Sequence, residues 1–175
     1  METRAKQNNA RQQEVKEFEE SILQIDRVAK VVKGGKILRF RVTVVIGDKK
    51  GRVGLGVGKA REIPSAIQKA LNEAKRNLVT VPIKNNTIFM RMDSIKNTAH
   101  VFLAPAVEGT GLVAGGVVRM IAEKAGIQDL LSKSIGSPNA LNVAQATMKA
   151  FADMEKIMKV SNLRKAKDGG SDEAK

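Results

Sequence analysis

The chain has 175 residues, with 31 Lys and Arg against 18 Asp and Glu, a net charge of +13, and 42% hydrophobic residues. It carries no cysteine, tryptophan or tyrosine and one histidine, which excludes disulfides, thiolate metal sites, a cysteine nucleophile and any multi-histidine metal centre. The hydrophobic fraction is enough for a packed core, and that core must be aliphatic because phenylalanine is the only aromatic.

Residues 1–21 are polar and mixed in charge, and are expected to be a flexible N-terminal arm, with neither the apolar stretch of a secretory signal nor the acid-poor composition of a transit peptide. No apolar run approaches the ~20 residues a membrane span needs, so a cytoplasmic location with no membrane partner is expected. The charge is concentrated: residues 22–81 hold 14 Lys/Arg against 4 Asp/Glu, a net of +10, whereas residues 82–160 hold 9 against 6, a net of +3. A surface of this kind suits a polyanion.

Residues 22–33 interleave Val and Ile with Arg27, Lys30 and Lys33, which predicts a strand broken by Gly34 and Gly35. From Lys36 to Ile46 the alternation is clear: Leu38, Phe40, Val42, Val44 and Ile46 on one face, Arg39, Arg41 and Thr43 on an open basic face. Residues 47–51 (GDKKG) supply a turn, and the return strand 52–57 places Val53, Leu55 and Val57 inward, with Arg52, Gly54 and Gly56 outward. Residues 63–78 show a helical stripe of Ile63, Ala66, Ile67, Ala70, Leu71, Ala74 and Leu78, with Pro64 allowed in the first turn. The expected first unit is three antiparallel strands with one helix on the apolar face.

A second unit follows Pro82: a hairpin turning at Asn85-Asn86, a strand at 99–104, a glycine loop at 108–111, and a helix from Gly115-Gly116 to Ala125 stopped by Gly126. A short strand within 127–135 and a last helix opened by Ser137-Pro138-Asn139 complete it, with Leu141, Ala144, Met148, Phe151 and Met154 buried. After Val160 little remains to bury, and a disordered tail is expected. The order of elements implies an α+β class.

Three segments could carry chemistry. Gly54-x-Gly56-x-Gly58-Lys59 suggests a nucleotide loop but has the wrong spacing: Ala60 follows the lysine, and one residue separates the last two glycines. Glycine at every second position instead lets another backbone approach one strand face. Residues 30–36, with Arg39 and Arg41 beyond, set glycine N–H groups among lysines, suited to phosphate oxygens. Residues 108–116 could bind an anion before a helix, but Glu108 has no paired acid, and tight helix–strand packing is the better reading. His100 lacks a recognisable catalytic partner set. No catalytic residue, metal or cofactor is assigned.

The runs RVAKVVKGGK (27–36), GDKKGRVGLGVGKAREIPSAIQKA (47–70), APAVEGTGLVAGGVVR (104–119) and GSPNALNVAQAT (136–147) together resemble the small-subunit ribosomal protein S-five family. The sequence departs from that pattern at Leu55 and Val57, where aromatics are frequent, and at His100, where arginine is common. The resemblance implies two domains: a double-stranded-RNA-binding-like domain at 22–85 and a second S-five domain at 86–158, an α/β sandwich with a left-handed crossover, before a tail at 159–175. It implies a constituent of the small ribosomal subunit at the back of the body near the neck, where it steadies head against body. It further implies contact with ribosomal RNA and with proteins S-four and S-eight, a part in translational accuracy, and proximity to the channel by which mRNA enters. The RNA-binding set expected from charge and resemblance is Arg27, Lys30, Lys33, Gly34, Gly35, Lys36, Arg39, Arg41, Lys49, Lys50, Arg52, Lys59 and Arg61. Gly54, Gly56, Gly58, Gly109, Thr110, Gly111, Gly115 and Gly116 are expected at protein contacts or structural loops.

Overall fold

The alternation at 36–46 does make a strand, but both of its faces are used. The computed structural model describes residues 18–168, in which β1 (Glu19–Val32), β2 (Gly35–Gly47), β3 (Arg52–Ala60) and β4 (Leu78–Thr80) form an antiparallel sheet in that order. The three expected strands are joined by the short β4, and β1 starts at Glu19, inside the expected arm; residues 1–17 of that arm lie outside the described residues. A bulge between Ile22 and Gln24 shifts the β1 register, and Leu23 packs against the main core.

Helix α1 (Ile63–Arg76) crosses one face of this sheet. Ala66, Ala70 and Ala74, one per turn, are fully buried and face Gly58, Gly56 and Gly54: a Cβ at any of these glycines would collide with the carbonyl oxygen of the opposing alanine. The glycines therefore face the helix, not outward, and Val53 and Leu55 point to the opposite face. The close approach of a second backbone is what alternate glycines permit, and that backbone is α1. Asn77 closes the helix, so Leu78, expected to end its stripe, lies in β4 instead.

The second unit contains the hairpin β5 (Ile83–Lys84) and β6 (Thr87–Ile88), turning at Asn85 and Asn86 with φ of 50° and 62°, as the Asn-Asn pair predicts. Strands β7 (Met92–Lys96), β8 (Ala99–Pro105), β9 (Leu112–Val113) and β10 (Leu130–Gly136) form a mixed sheet in the order β7-β8-β10-β9. Helix α2 (Gly116–Ala125) joins β9 to β10, which run parallel, so this is the crossover that the family resemblance concerns. Gly126 takes the left-handed conformation just past α2, as expected.

Helix α3 (Ala140–Asp168) covers β7 and β8 with Val143, Met148, Phe151 and Met154. Full burial of side chains such as Phe151 and Met154 contributes about 1.5–3 kcal/mol each. The helix passes the point where a tail was expected: residues 161–168 are helical, while 169–175 lie outside the described residues. No Gly or Pro interrupts the sequence before Gly169, and the pairs Lys156–Asp153 and Lys159–Glu155 are spaced for helical support.

The largest core cluster spans both units. Val45 and Val53 from the first sheet join Val101, Leu103, Ile121 and Phe151 of the second. Helix α2 touches β1, β2 and β3 as well as β9 and α3. Two backbone bonds fasten this junction: Lys49 N–H to Lys124 O at 3.0 Å and Gly51 N–H to Ala125 O at 2.9 Å. Consequently residues 42–47 are all buried, and Thr43, expected on an open face, is 1% exposed. The basic face is open only nearer the other end of β2.

Candidate nucleic-acid interface

Beyond the region covered by α1 and α2, β1 and β2 continue as a two-stranded finger. Opposite residues share a face in an antiparallel pair, so the register Val28↔Arg39 and Lys30↔Ile37 sets Lys30 and Arg39 on one face. Arg27↔Phe40 and Val31↔Lys36 set Arg27 and Lys36 on the other, with Lys33, Gly34 and Gly35 at the tip. All five cations of this finger and its tip lysine's neighbours are exposed: Arg27, Lys30, Lys33, Lys36 and Arg39 have no ion-pair partner among the described residues. Gly34 and Gly35 have open space where a Cβ would stand. A thin arm with cations on both faces and a bare tip can present charge to phosphates on either side.

Arg39 also belongs to a second group. With Lys59, Arg61, Ser65 and Lys69 it lines an open cavity of about 380 Å³ at the start of α1, where Glu62 makes no side-chain cap. Lys69 is a cation the sequence reading left out. Ser65 and Lys69 are spaced by four on α1, which was the available sign that they share one helix face, and Arg61 lies just before the helix begins.

The remaining expected cations differ. Arg41 donates through Nε at 3.1 Å and a terminal nitrogen at 2.7 Å to one oxygen of Asp26, whose carboxyl is held below its ordinary pKa chiefly by that bond. Arg52 is bound to Asp48 at 2.7 Å and lies over the Phe18 ring. Burial opposes ionisation of Asp48, but bonds from the Arg52 side chain and from the Arg52 and Lys50 N–H groups outweigh it, and its pKa is lowered. Lys49 and Lys124 both grip Glu19, lowering it to about 2 through the Lys124 bond first and the Lys49 bond second. Lys50 is exposed. These turn residues sit at the far end of β2, roughly 40 Å from the finger tip for a strand of this length. The thirteen residues thus do not form one patch: the finger and the α1 cavity come together, and Lys49, Lys50 and Arg52 stand apart.

The other glycine loop does not pack as expected. A Cβ at Gly109, Gly111, Gly115 or Gly116 would meet nothing within 4 Å, so tight helix–strand packing is not their role. Gly109 and Gly111 are needed for their positive φ of 86° and 74°. The loop is held by Asp129, which accepts the Gly111 N–H at 2.8 Å, and by the Thr110 hydroxyl on the Val107 carbonyl. His100 has a carboxylate the sequence did not assign to it, Asp93, at 3.2 Å. Ser94 and Ser132 point to the opposite, buried side of the sheet, so the pair has no neighbouring hydroxyl from them. No described helix is long and apolar enough to cross a membrane.

Comparison with known proteins agrees with this division. The family model described as ribosomal protein S5, N-terminal domain, matches residues 18–82, and that described as ribosomal protein S5, C-terminal domain, matches residues 96–164. Among curated relatives, the small ribosomal subunit protein uS5 of Thermotoga maritima is 52% identical over 148 residues, covering 85% of this chain and 83% of that protein. That of Thermotoga neapolitana is 48% identical over 154 residues, covering 88% and 86%. The small ribosomal subunit protein uS5c of Spinacia oleracea is 51% identical over 148 residues, covering 84% of this chain and 48% of that longer protein. The fold, its two matched halves and these identities place the chain in the ribosomal protein S5 family.

Proposed function

We propose that this chain is a structural constituent of the small ribosomal subunit, binding ribosomal RNA and catalysing no reaction. The observation that carries the reading is the β1–β2 finger, whose five cations have no carboxylate partner among the described residues. Its contacts are with the sugar-phosphate framework: without stacking aromatics, recognition rests on shape and phosphates, as in double-stranded-RNA binding. Residues 22–85 form the RNA-binding part, with the cavity lined by Arg39, Lys59, Arg61 and Lys69 as a second contact beside the finger. Residues 86–158 dock on RNA and neighbouring proteins.

Family membership supports a finer placement: the back of the body near the neck, steadying head against body, beside proteins S-four and S-eight, with effects on translational accuracy and on the region where mRNA enters. In that placement the protein is cytoplasmic. Sedimentation tests the reading. The chain co-sediments with small subunits through a high-salt wash if it is a constituent; a predominantly free pool refutes it.

A further inference from the structure

Between Ala29 and Arg39 every residue of the finger is exposed, so no buried side chain fixes the direction in which it points. A two-stranded ribbon without a core is only marginally stable by itself. What holds it must lie at its root. There β2 loses its second neighbour: Phe40↔Ala60 is the last rung it makes with β3, and beyond that only β1 remains. Five further rungs, from Val28↔Arg39 to Val32↔Gly35, form the free ribbon, a reach of roughly 17 Å at the usual rise per residue. The bulge between Ile22 and Gln24 comes just before this root, and a bulge bends and twists the strand that carries it.

Asp26 lies between the bulge and the free ribbon and ties both to β2. One carboxylate oxygen accepts the Gln24 side-chain amide at 2.6 Å, beside the bulge. The other accepts Arg41, the residue directly opposite on β2, through two N–H groups. The pair is partly sheltered, with 24% of the Asp26 side chain and 30% of Arg41 exposed, so solvent screens it less than a pair in open water. Arg41 continues the row of Lys30 and Arg39 along one face of the finger, yet it alone of the three has a carboxylate partner. A tilt of about 10° at the root would carry the tip roughly 3 Å, the length of a hydrogen bond. Phosphate contacts by Lys33 and Lys36 therefore depend on how firmly the root is set.

We propose that the Asp26–Arg41 pair is a positioning device for RNA binding, fixing the angle at which the β1–β2 finger leaves the sheet so that its lysines meet phosphates already aligned. Neither side chain touches the RNA. The inference rests on the reading of the finger as the RNA contact. A finger loose at its root reaches the same phosphates but surrenders orientational freedom on binding. Affinity then falls while the number of released counterions, and with it the dependence on salt, stays the same. Loss of a phosphate contact instead lowers the slope of log affinity against log salt by about 0.9.

The test measures the affinity of full-length variants for duplex-containing ribosomal RNA across a salt series. Asp26→Ala with Arg41→Ala removes the pair at constant net charge. Affinity should fall about tenfold at every salt concentration, with the slope unchanged. The reversed pair, Asp26→Arg with Arg41→Asp, should recover most of the loss. In a chain already carrying Lys30→Ala, Lys33→Ala and Lys36→Ala, removing the pair should cost nothing, because little is left to position. A general weakening of the fold would cost the same in both backgrounds. The proposal is overturned by an alanine pair that binds like the parent, by a slope lowered by about 0.9, by an equal loss in both backgrounds, or by no recovery in the reversed pair. If the three lysine substitutions alone change neither affinity nor slope, the finger is not the contact and the reading beneath the proposal fails too. Thermal unfolding checks that each variant is folded. Should the alanine pair not fold, Asp26→Asn with Arg41→Met, which keeps the bulk of both side chains, takes its place under the same criteria.

Discussion

Replacing Gly56 with alanine puts a methyl group against the carbonyl oxygen of Ala70 and the amide nitrogen of Ala74, both backbone atoms of α1. Neither can rotate away; the helix must lift from β3, which would also loosen Ala66 and Ala74 on Gly58 and Gly54. Overpacking costs about 1–3 kcal/mol when side chains can yield, and a backbone obstacle places this variant at about 3 kcal/mol. For a chain of this size that is a fall in Tm of roughly 6–12 °C. Urea and thermal unfolding followed by circular dichroism measure it. Two controls isolate the cause. Gly115→Ala, with open space and φ of −62°, should stay within about 0.5 kcal/mol of the parent. Ala70→Gly added to Gly56→Ala should not rescue stability, because the obstacle is the Ala70 backbone rather than its methyl. A Gly56→Ala protein as stable as the parent, or full rescue by Ala70→Gly, would refute the proposed seat of α1.

Replacing Lys30, Lys33 and Lys36 with alanine should lower the slope of log affinity against log salt by about 2.7 on duplex-containing ribosomal RNA, if each neutralises one phosphate, as filter binding across a salt series would show. Arg39→Ala should lower the slope by about 0.9, whereas Arg41→Ala should change it little because Asp26 already holds Arg41; equal effects would contradict the separation of free from paired cations. Glu19 has a folded-state pKa lowered from 4.5 to about 2, so its stabilisation is complete above 4.5 and is lost as the pH falls through about 2. The difference in urea midpoint between the parent and Glu19→Gln should therefore be widest above pH 4.5 and close towards pH 2; a constant difference would count against the Lys49–Glu19–Lys124 link.

Much of the fold was legible where pattern and partner coincide. Alternation marked β2, the four-residue spacing of alanines marked α1, and Asn85-Asn86 and Gly126 marked a turn and a helix end. Alternation shows that a strand has two faces but not what covers each, and this is why the glycines of β3 were expected to face outward and Thr43 to be open. The glycines face α1, and Thr43 is covered because α2 packs on the opposite face of the first sheet, a contact between segments some 75 residues apart in sequence. Strand β7, with sequence MDSIK, has too few apolar residues to alternate, and β9 has only two residues. Composition marked the cations of the proposed interface. It could not tell that Arg41 and Arg52 are tied to Asp26 and Asp48, since ion pairing across strands and turns depends on register.

Because the chain has no native cysteine, single cysteines can be placed at will, and an iron chelate tethered to each will cut RNA nearby. The most direct test of the finger as the RNA contact is therefore hydroxyl-radical cleavage in assembled small subunits from Gly34→Cys at its tip and Ser65→Cys in the cavity at the start of α1. Both tethers should cleave the ribosomal RNA backbone at discrete nearby positions. Particles containing the tethered proteins but showing no cleavage from either site would contradict the account.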